Sequence, residues 1–348
     1  MKILAVQNRM GIGDMVIFLP FIEAIARKYA CPISLLVKEN SKASKLLNKN
    51  PNISEIIILD RDNKSIKGRH DGIGGALKLI NDLKKYKFDK VFIFNSSLRF
   101  NLISKLARIK EIYQYPLFEK KNQHIIQAAQ TFLKKELNID VPSNPIISID
   151  TNQIEQAKSK YEILNNQLNI LLGIGGSGET KRIPSKIYIK FMQLCSEKYD
   201  CRFFLATGTK NEEQEILKEI LNSKFQSKCL ALDQLDLIDI LPIIKNCKIS
   251  VCNDSSFSHL SAALEIPTIV LMSDTPLLYG SYSPKMYSII PDGEETVGHN
   301  TLGKDKINPL KIFYKLQEIL NYSRLFKTTS LASLTIADNL AVSGETSG

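Results

Sequence analysis

The 348-residue chain has no stretch of the ~18 consecutive apolar residues that a membrane-spanning helix needs. Its first apolar run, "KILAV", is too short for a secretory signal peptide. Of the six cysteines (31, 195, 201, 229, 247 and 252), no two have C-x-x-C spacing. The sequence therefore favours a cytoplasmic protein with reduced thiols, without a zinc site or disulfide framework.

Several nucleotide and nucleic-acid motifs are also missing. No glycine loop ends in G-K-[ST], so the chain has no P-loop. No strand is followed by both a G-x-G-x-x-G turn and an acidic ribose-binding residue, which disfavours a dinucleotide oxidoreductase. Because no aromatic RNA-binding motif is present, we expect no nucleic-acid partner.

The positive charge lies in one half of the chain. Residues 1–150 carry 25 Lys and Arg against 14 Asp and Glu, a net charge of +11, whereas residues 151–348 carry 21 against 22. A basic surface attracts anionic lipid or an acidic substrate, but scattered solubilising lysines give the same count. Both interpretations stay open from charge alone.

Short β-branched runs alternate with helical periodicity along the chain. The runs "KILAV", "ISLLV", "EIIIL" and "KVFIF" are followed by helical patterns as far as about Leu137, and "LNILLGI", "CRFFLAT", "KCLAL", "KISVC" and "PTIVLM" continue the alternation later. Strands separated by helices predict parallel, doubly wound sheets.

The spacing of these runs predicts two Rossmann-like domains, 1–150 and 151–322. Residues 138–165 contain two prolines and several Asn, Ser and Asp without a sustained period, so we predict a linker there. Residues 323–348 form a Ser/Thr/Ala-rich tail that we leave unassigned. Ligands of such α/β folds bind at the carboxyl ends of the strands, which here predicts a cleft between the two sheets.

The first strand leads into "GIGDMVIFLP", where Gly11, Gly13 and Asp14 open an amphipathic helix. Glycines let another group approach the backbone closely. Asp14 has two interpretations, a cap for the first helical amides or a catalytic carboxylate, and the residues alone favour the cap.

Two polar loops follow strands in the second half. "GIGGSGETKRIP" combines four glycines with Lys181 and Arg182 at a helix start, which suits phosphate, although a flexible turn has the same composition. In "NDSSFSHLSAALEIPTIVL", Ser255 and His259 share one face of a helix after Asp254; the alternative is a helix cap with a core histidine. Because both loops emerge at the same end of one sheet, one ligand can contact both.

These three blocks resemble the lipopolysaccharide heptosyltransferases, family 9 of the glycosyltransferases, which have the two-domain GT-B fold. "GIGDMVIFLP" resembles the family's Gly-Asp-x-x-x-x-x-Pro entry, "GIGGSGETKRIP" its Lys-Arg-Trp-Pro phosphate block, and the third block its Asp-Ser/Thr-Gly-x-x-His segment. In order and spacing the resemblance covers about Met1 to Leu320.

The resemblance implies an inverting, metal-independent transfer of a sugar, typically heptose from an ADP-sugar, to an anionic inner-core glycolipid. The enzyme would use no cofactor and would contact the cytoplasmic face of the inner membrane. Asp14 would be the general base, and Gly11 and Gly13 would lie on the acceptor side. Glu212 or Glu213 is the candidate for the nucleotide ribose.

The resemblance also implies a set of donor-binding residues in the second half. Lys181 would neutralise the diphosphate, Asp254 would contact the donor sugar, and His259 would support its loop. The full set is Gly175, Gly176, Ser177, Thr180, Lys181, Asp254, Ser255, Ser256 and His259.

Three positions depart from the family pattern. Ser256 replaces the usual Gly, Ile183 replaces a frequent Trp, and Ser273 to Thr275, "SDT", replaces Gly-Pro-Thr. A side chain at position 256 would narrow the approach to phosphate, and Asp274 would add negative charge near an anionic donor. Two alternatives remain: a nucleotide-sugar enzyme with another donor, such as an epimerase, and a non-catalytic sugar- or lipid-binding relative.

Overall fold

The computed structural model describes residues 1–9, 11–61, 68–117 and 124–322. The first half contains a five-stranded parallel sheet in the order β3-β2-β1-β4-β5. Its strands are β1 (Ile3–Gln7), β2 (Ile33–Val37), β3 (Ile53–Ile58), β4 (Lys90–Ile93) and β5 (Glu111–Gln114).

Helices cover both faces of this first sheet. They are α1 (Ile12–Tyr29), α2 (Ala43–Leu46), α3 (Gly72–Tyr86), α4 (Leu98–Leu106) and α5 (Ile125–Leu137). Ile3 and Ala5 of β1 belong to the core that contains α1 and α5, whereas Leu4 and Val6 belong to the core beneath α3 and α4. A strand buried on both faces reads as a continuous apolar run, which explains "KILAV".

The second half repeats this design with six parallel strands in the order β11-β10-β9-β6-β7-β8. These strands are β6 (Leu168–Gly173), β7 (Cys201–Ala206), β8 (Cys229–Ala231), β9 (Ile249–Asn253), β10 (Thr268–Leu271) and β11 (Met286–Ile289). Its helices are α6 (Thr151–Lys160), α7 (Ser185–Lys198), α8 (Asn211–Leu221), α9 (Leu237–Lys245), α10 (Ser256–Ala263) and α11 (residues 309–322).

The two halves meet where α1 packs against α10. One apolar cluster runs through both helices and includes the buried side chains of Phe18 and Leu260. The connecting segment also lies on the second half, because the Ile147 N–H donates to the Ala263 carbonyl at 2.8 Å. The division at residue 150 stays a prediction, and the tail 323–348 lies outside the described residues.

Two doubly wound sheets confirm the predicted α/β class, but two details were wrong. The linker predicted for 138–165 contains the helix α6, in which only Ala157 is buried. The strand β5 lies where we expected helices alone. Within the described ranges, no helix is long and apolar enough to cross a membrane.

Candidate active site

A cleft of about 700 Å³ separates the carboxyl ends of the two sheets. The loops after β1, β6, β7, β9 and β10 all reach it, as Rossmann-like folds predict. The lining includes these sequence-predicted residues: Gly11, Gly13, Asp14, Gly175, Gly176, Ser177, Lys181, Glu213, Asp254, Ser255, Ser256 and His259.

Asp14 lies in the first turn of α1, directly after β1. The helix begins with Gly11 in an extended conformation, so Asp14 is the third helical residue and not the N-cap. Its Oδ2 accepts the Gly11 N–H at 3.3 Å, and its Oδ1 accepts from Arg9 Nη1 at 3.4 Å. The Asp14 carboxylate therefore accepts a backbone N–H at the start of α1 and also lines the cleft.

Gly13 brings the first half into contact with the second. A Cβ atom at this position would lie 2.5 Å from Cδ2 of His259 and 3.0 Å from its Nε2. No real side chain fits at that distance, so glycine permits the approach of α1 to α10. The predicted base Asp14 and the predicted donor-side residue His259 therefore line the same cleft.

Asp254 is the centre of a buried polar network in the second half. Its Oδ2 accepts from Lys181 Nζ at 2.7 Å and from Thr275 Oγ1 at 2.6 Å. Burial alone would raise the pKa of Asp254, but the positive charge of Lys181 and these hydrogen bonds outweigh it and hold the pKa below its ordinary value. The ionised carboxylate fixes Lys181 at the cleft wall.

His259 is 5% exposed and links Asp254 to the segment after β10. Its Nδ1 lies 3.0 Å from the Tyr282 hydroxyl, and its Nε2 lies 3.9 Å from Asp254 Oδ1. Burial lowers its pKa despite the nearby carboxylates of Asp254 and Asp14. The folded protein therefore favours the neutral imidazole.

Glu213 contacts the glycine-rich loop at residues 173–178. Its Oε1 accepts the Gly176 N–H at 2.8 Å, and a Cβ at Gly175 would lie 2.6 Å from that oxygen. The Gly176 amide is thus engaged within the protein. Glu213 is 7% exposed, whereas Glu212 is exposed and lies outside the cleft lining.

The start of α10 faces the cleft without a side-chain cap. Ser255 is its N-cap residue, but its hydroxyl caps none of the first helical amides. Ser255 Oγ and Thr207 Oγ1 are buried and have no partner among the described residues. Uncapped amides at a helix N-terminus, with two unpaired hydroxyls nearby, suit an anion.

The predicted residue Thr180, like Glu212, lies outside the cleft lining, and so do the departures Ile183, Ser273 and Asp274. The Thr180 carbonyl accepts a hydrogen bond from Ser273 Oγ at 2.8 Å. The carboxylate of Asp274 accepts the Leu302 N–H at 2.9 Å, so it holds the loop that carries His299. The same carboxylate also accepts from the Thr180 side chain, so the charge that we expected beside the donor is engaged within the protein.

Sequence reasoning missed several lining residues: Asn40, Thr207, Gly208, Lys210, Phe257, Thr275, Tyr279 and His299. Thr275 had a usable signal, because it closely follows the end of β10 at the same edge as the two polar loops. Tyr279 packs edge-on against His124 of the first half, with ring centroids 4.3 Å apart.

A further group of polar side chains lies at the carboxyl edge of the first sheet. The Gln7 amide atoms, the Tyr115 hydroxyl and His124 Nε2 are buried without partners among the described residues. Burial and the nearby Arg9 charge lower the pKa of His124 to about 4. These groups offer neutral donors and acceptors beside Arg9.

Metal ligands are not grouped in the part of the chain that is described. No set of three or more His, Cys, Asp and Glu there could hold a metal ion. The metal-independent reaction and the absence of a cofactor stay predictions.

Comparisons with known proteins agree with this architecture. Lipopolysaccharide heptosyltransferase 1 of Campylobacter coli is 22% identical over 87% of this chain and 93% of its own length. The structure of E. coli ADP-heptose LPS heptosyltransferase II has a TM-score of 0.68 at 21% identity, covering 93% of this chain and 100% of that one. A family 9 glycosyl transferase from Veillonella parvula reaches a TM-score of 0.72 at 17% identity, covering 92% and 97%.

The family model "Glycosyltransferase family 9 (heptosyltransferase)" matches residues 76–298, well over half of the chain. This match, together with the two facing sheets, confirms the resemblance and the GT-B fold. The chain belongs to glycosyltransferase family 9 and is a glycosyltransferase.

Proposed function

We propose that this protein transfers a sugar, heptose, from an ADP-sugar to a glycolipid of the lipopolysaccharide core, with inversion at the anomeric carbon. The observation that carries the proposal is the cleft itself, in which Asp14 of the first half faces Lys181 and the start of α10 in the second. The names of the Campylobacter coli and E. coli relatives support the donor and acceptor classes.

The second half supplies the groups that a nucleotide diphosphate needs. Lys181 Nζ is held at the cleft wall by Asp254, and the amides of Ser255 and Ser256 begin α10. A positive side chain and a helix N-terminus both stabilise phosphate charge. On this proposal they neutralise the leaving diphosphate without a metal ion or other cofactor.

The first half supplies the base and the acceptor contacts. The Asp14 carboxylate removes the proton of the acceptor hydroxyl, and that oxygen bonds to the anomeric carbon. The bond from this carbon to the diphosphate oxygen breaks, and the nucleoside diphosphate leaves with the bonding electrons. An oriented general base contributes about 10² to 10⁴ in rate. Arg9 and the unpaired groups of Gln7, Tyr115 and His124 are acceptor-side candidates.

The proposal places the protein in the cytoplasm, at the inner membrane face where a glycolipid acceptor is accessible. Membership of a glycosyltransferase family favours transfer over the epimerase, oxidoreductase and non-catalytic alternatives. Turnover of the donor with no acceptor present would favour the epimerase instead.

Asp14→Asn tests the role of the base. Asparagine keeps an oxygen that can accept the Gly11 N–H, so we expect the melting temperature and the ADP affinity to stay unchanged. Turnover with a lipid-linked acceptor should fall about 10²-fold or more, because an amide cannot take the proton.

The matched control is Asp140→Asn, since the Asp140 carboxylate is 83% exposed and lies outside the cleft lining. It should leave turnover unchanged. If Asp14→Asn retains turnover within a few-fold of wild type, Asp14 only closes the helix and the proposed mechanism is wrong.

A further inference from the structure

Two neighbouring helices of the first half expose an unusual number of large apolar side chains. On α3, Ile73 is 85% exposed and Leu77 is 57% exposed. On α4, Leu98, Leu102 and Leu106 are 48%, 48% and 57% exposed. Within each helix these residues are spaced four apart, so each set forms one stripe. We call these five residues the α3–α4 face.

The two helices are held firmly and do not need this face for their own packing. Arg99 Nη1 donates to the Gly72 carbonyl at 2.8 Å, and its Nη2 donates to the His70 carbonyl at 2.6 Å, which ties the start of α4 to the start of α3. The opposite sides of the helices, with Leu79 and Phe100, are buried against the sheet. The exposed apolar groups therefore form a surface on a fixed scaffold.

The chain around this face is strongly basic. Residues 68–110 contain ten Lys and Arg against three Asp and no Glu, a net charge of +7. Lys78 and Lys105 are exposed on the same two helices. A second copy of the chain would place positive charge against positive charge, whereas an anionic surface is complementary.

The position of the face relates it to the cleft. In a parallel sheet the helix after each strand begins at the carboxyl edge, so the starts of α3 and α4 lie at the edge from which Asp14 also emerges. Ile73 and Leu98 are at those starts. A lipid anchored in a bilayer beneath the α3–α4 face would thus lie on the acceptor side of the cleft.

We propose that the α3–α4 face is a membrane-docking surface that inserts its five apolar side chains among anionic lipids. This inference deepens the proposed function, because it supplies the contact through which a lipid-linked acceptor meets Asp14. Apolar insertion and electrostatic attraction add in such interfacial binding.

The test is co-sedimentation of the full chain with vesicles of phosphatidylethanolamine and phosphatidylglycerol, with phosphatidylcholine vesicles for comparison. No donor or acceptor is added, so failure of the proposed reaction cannot affect the result. The variant is Ile73→Gln/Leu77→Gln/Leu98→Gln/Leu102→Gln. The control is Leu164→Gln/Leu310→Gln, which changes leucines that are 50% and 43% exposed elsewhere.

We expect wild type and control to bind the anionic vesicles and to dissociate with rising salt. The face variant should bind at least tenfold less tightly while keeping the wild-type melting temperature. Lys78→Gln/Lys105→Gln should weaken binding to the anionic vesicles and leave binding to the phosphatidylcholine vesicles unchanged.

Equal vesicle binding by the face variant and wild type would overturn the proposal. So would a wild-type dimer, seen by analytical ultracentrifugation, that the face variant converts to monomer, since the face would then bind a second copy. A face variant that fails to fold is replaced by single Leu77→Gln and Leu102→Gln variants, which should each show part of the loss.

Discussion

Lys181 forms an ion pair with Asp254 in the second half. Its side chain is 26% exposed, so one side meets the buried carboxylate and the other faces the cleft. The ion pair orients the ammonium before any ligand arrives, which reduces the cost of ordering it on binding.

We predict that Lys181→Ala weakens ADP binding by about 1.5–3 kcal/mol, the usual range for a hydrogen bond to a charged group. Calorimetry with ADP measures the change directly. Lys190→Ala is the matched control, because Lys190 is exposed on α7 and bonds only to the neighbouring Gln193 in the described contacts. Unchanged ADP affinity in Lys181→Ala would remove this residue from the donor site.

Residues that directly follow a strand were the ones that sequence could assign to the cleft. Asp254 comes directly after β9, and Asp14 lies in the first turn of the helix that follows β1, so the fold alone brings them to the carboxyl edges. Tyr279 and His299 come from residues 273–303, where short turns surround β11 and no period indicates which side chain faces inward. The path of such a segment depends on tertiary contacts, such as Asp274 with Leu302.

At the scale of elements, the most buried strands were predictable and the edges were not. Every residue of β1 and β2 is buried, and all of them except Gln7 and Ser34 are apolar. The strand β5 lies at the edge of its sheet and is partly exposed, with charged and polar residues at both ends. Partial burial leaves too weak a pattern to separate a strand from a helix.

The contact of α1 with α10 depends on one missing side chain. We predict that Gly13→Ala lowers the free energy of unfolding by about 1–3 kcal/mol, because its methyl group would overlap the buried ring of His259. Turnover should also fall, since the ring and Asp14 must move apart. Urea unfolding and steady-state rates measure both effects.

The control for this substitution is Gly74→Ala on α3. A Cβ there would meet nothing within 4 Å, and alanine stabilises an exposed helix by up to about 1 kcal/mol relative to glycine. The two substitutions should therefore change stability in opposite directions. Equal effects would mean that the α1–α10 contact tolerates a methyl group.

At the scale of the whole molecule, the two halves differ in net charge and in the groups that they present to the cleft. The half with net charge +11 carries Asp14 and the α3–α4 face, and the nearly neutral half carries the two polar loops that we propose bind the donor phosphates. Helix α1 joins the two because it begins at the cleft and ends in the shared core. On the proposed function, the contact that brings Asp14 to the donor side also belongs to the core of the folded chain.

The stability of the whole chain should fall as the pH drops below about 6.5. Burial lowers the pKa of His259, beside Asp254, Asp14, Lys181 and Tyr282, and lowers that of His124 to about 4. Between the unfolded and folded values the unfolded chain binds more protons, so the free energy of unfolding decreases with falling pH, by at most about 1.4 kcal/mol per pH unit for each histidine. The pKa of Asp254 is lowered, as are those of five other carboxyl groups (Asp82, Glu111, Asp236, Asp274 and Asp292), so their contribution is lost below about pH 5 and leaves the range from about 6.5 to 5 to histidine. Urea unfolding of wild type and His259→Gln at half-unit steps in this range measures the difference. We expect a shallower slope in the variant, and parallel slopes would show that His259 binds a proton equally well in both states.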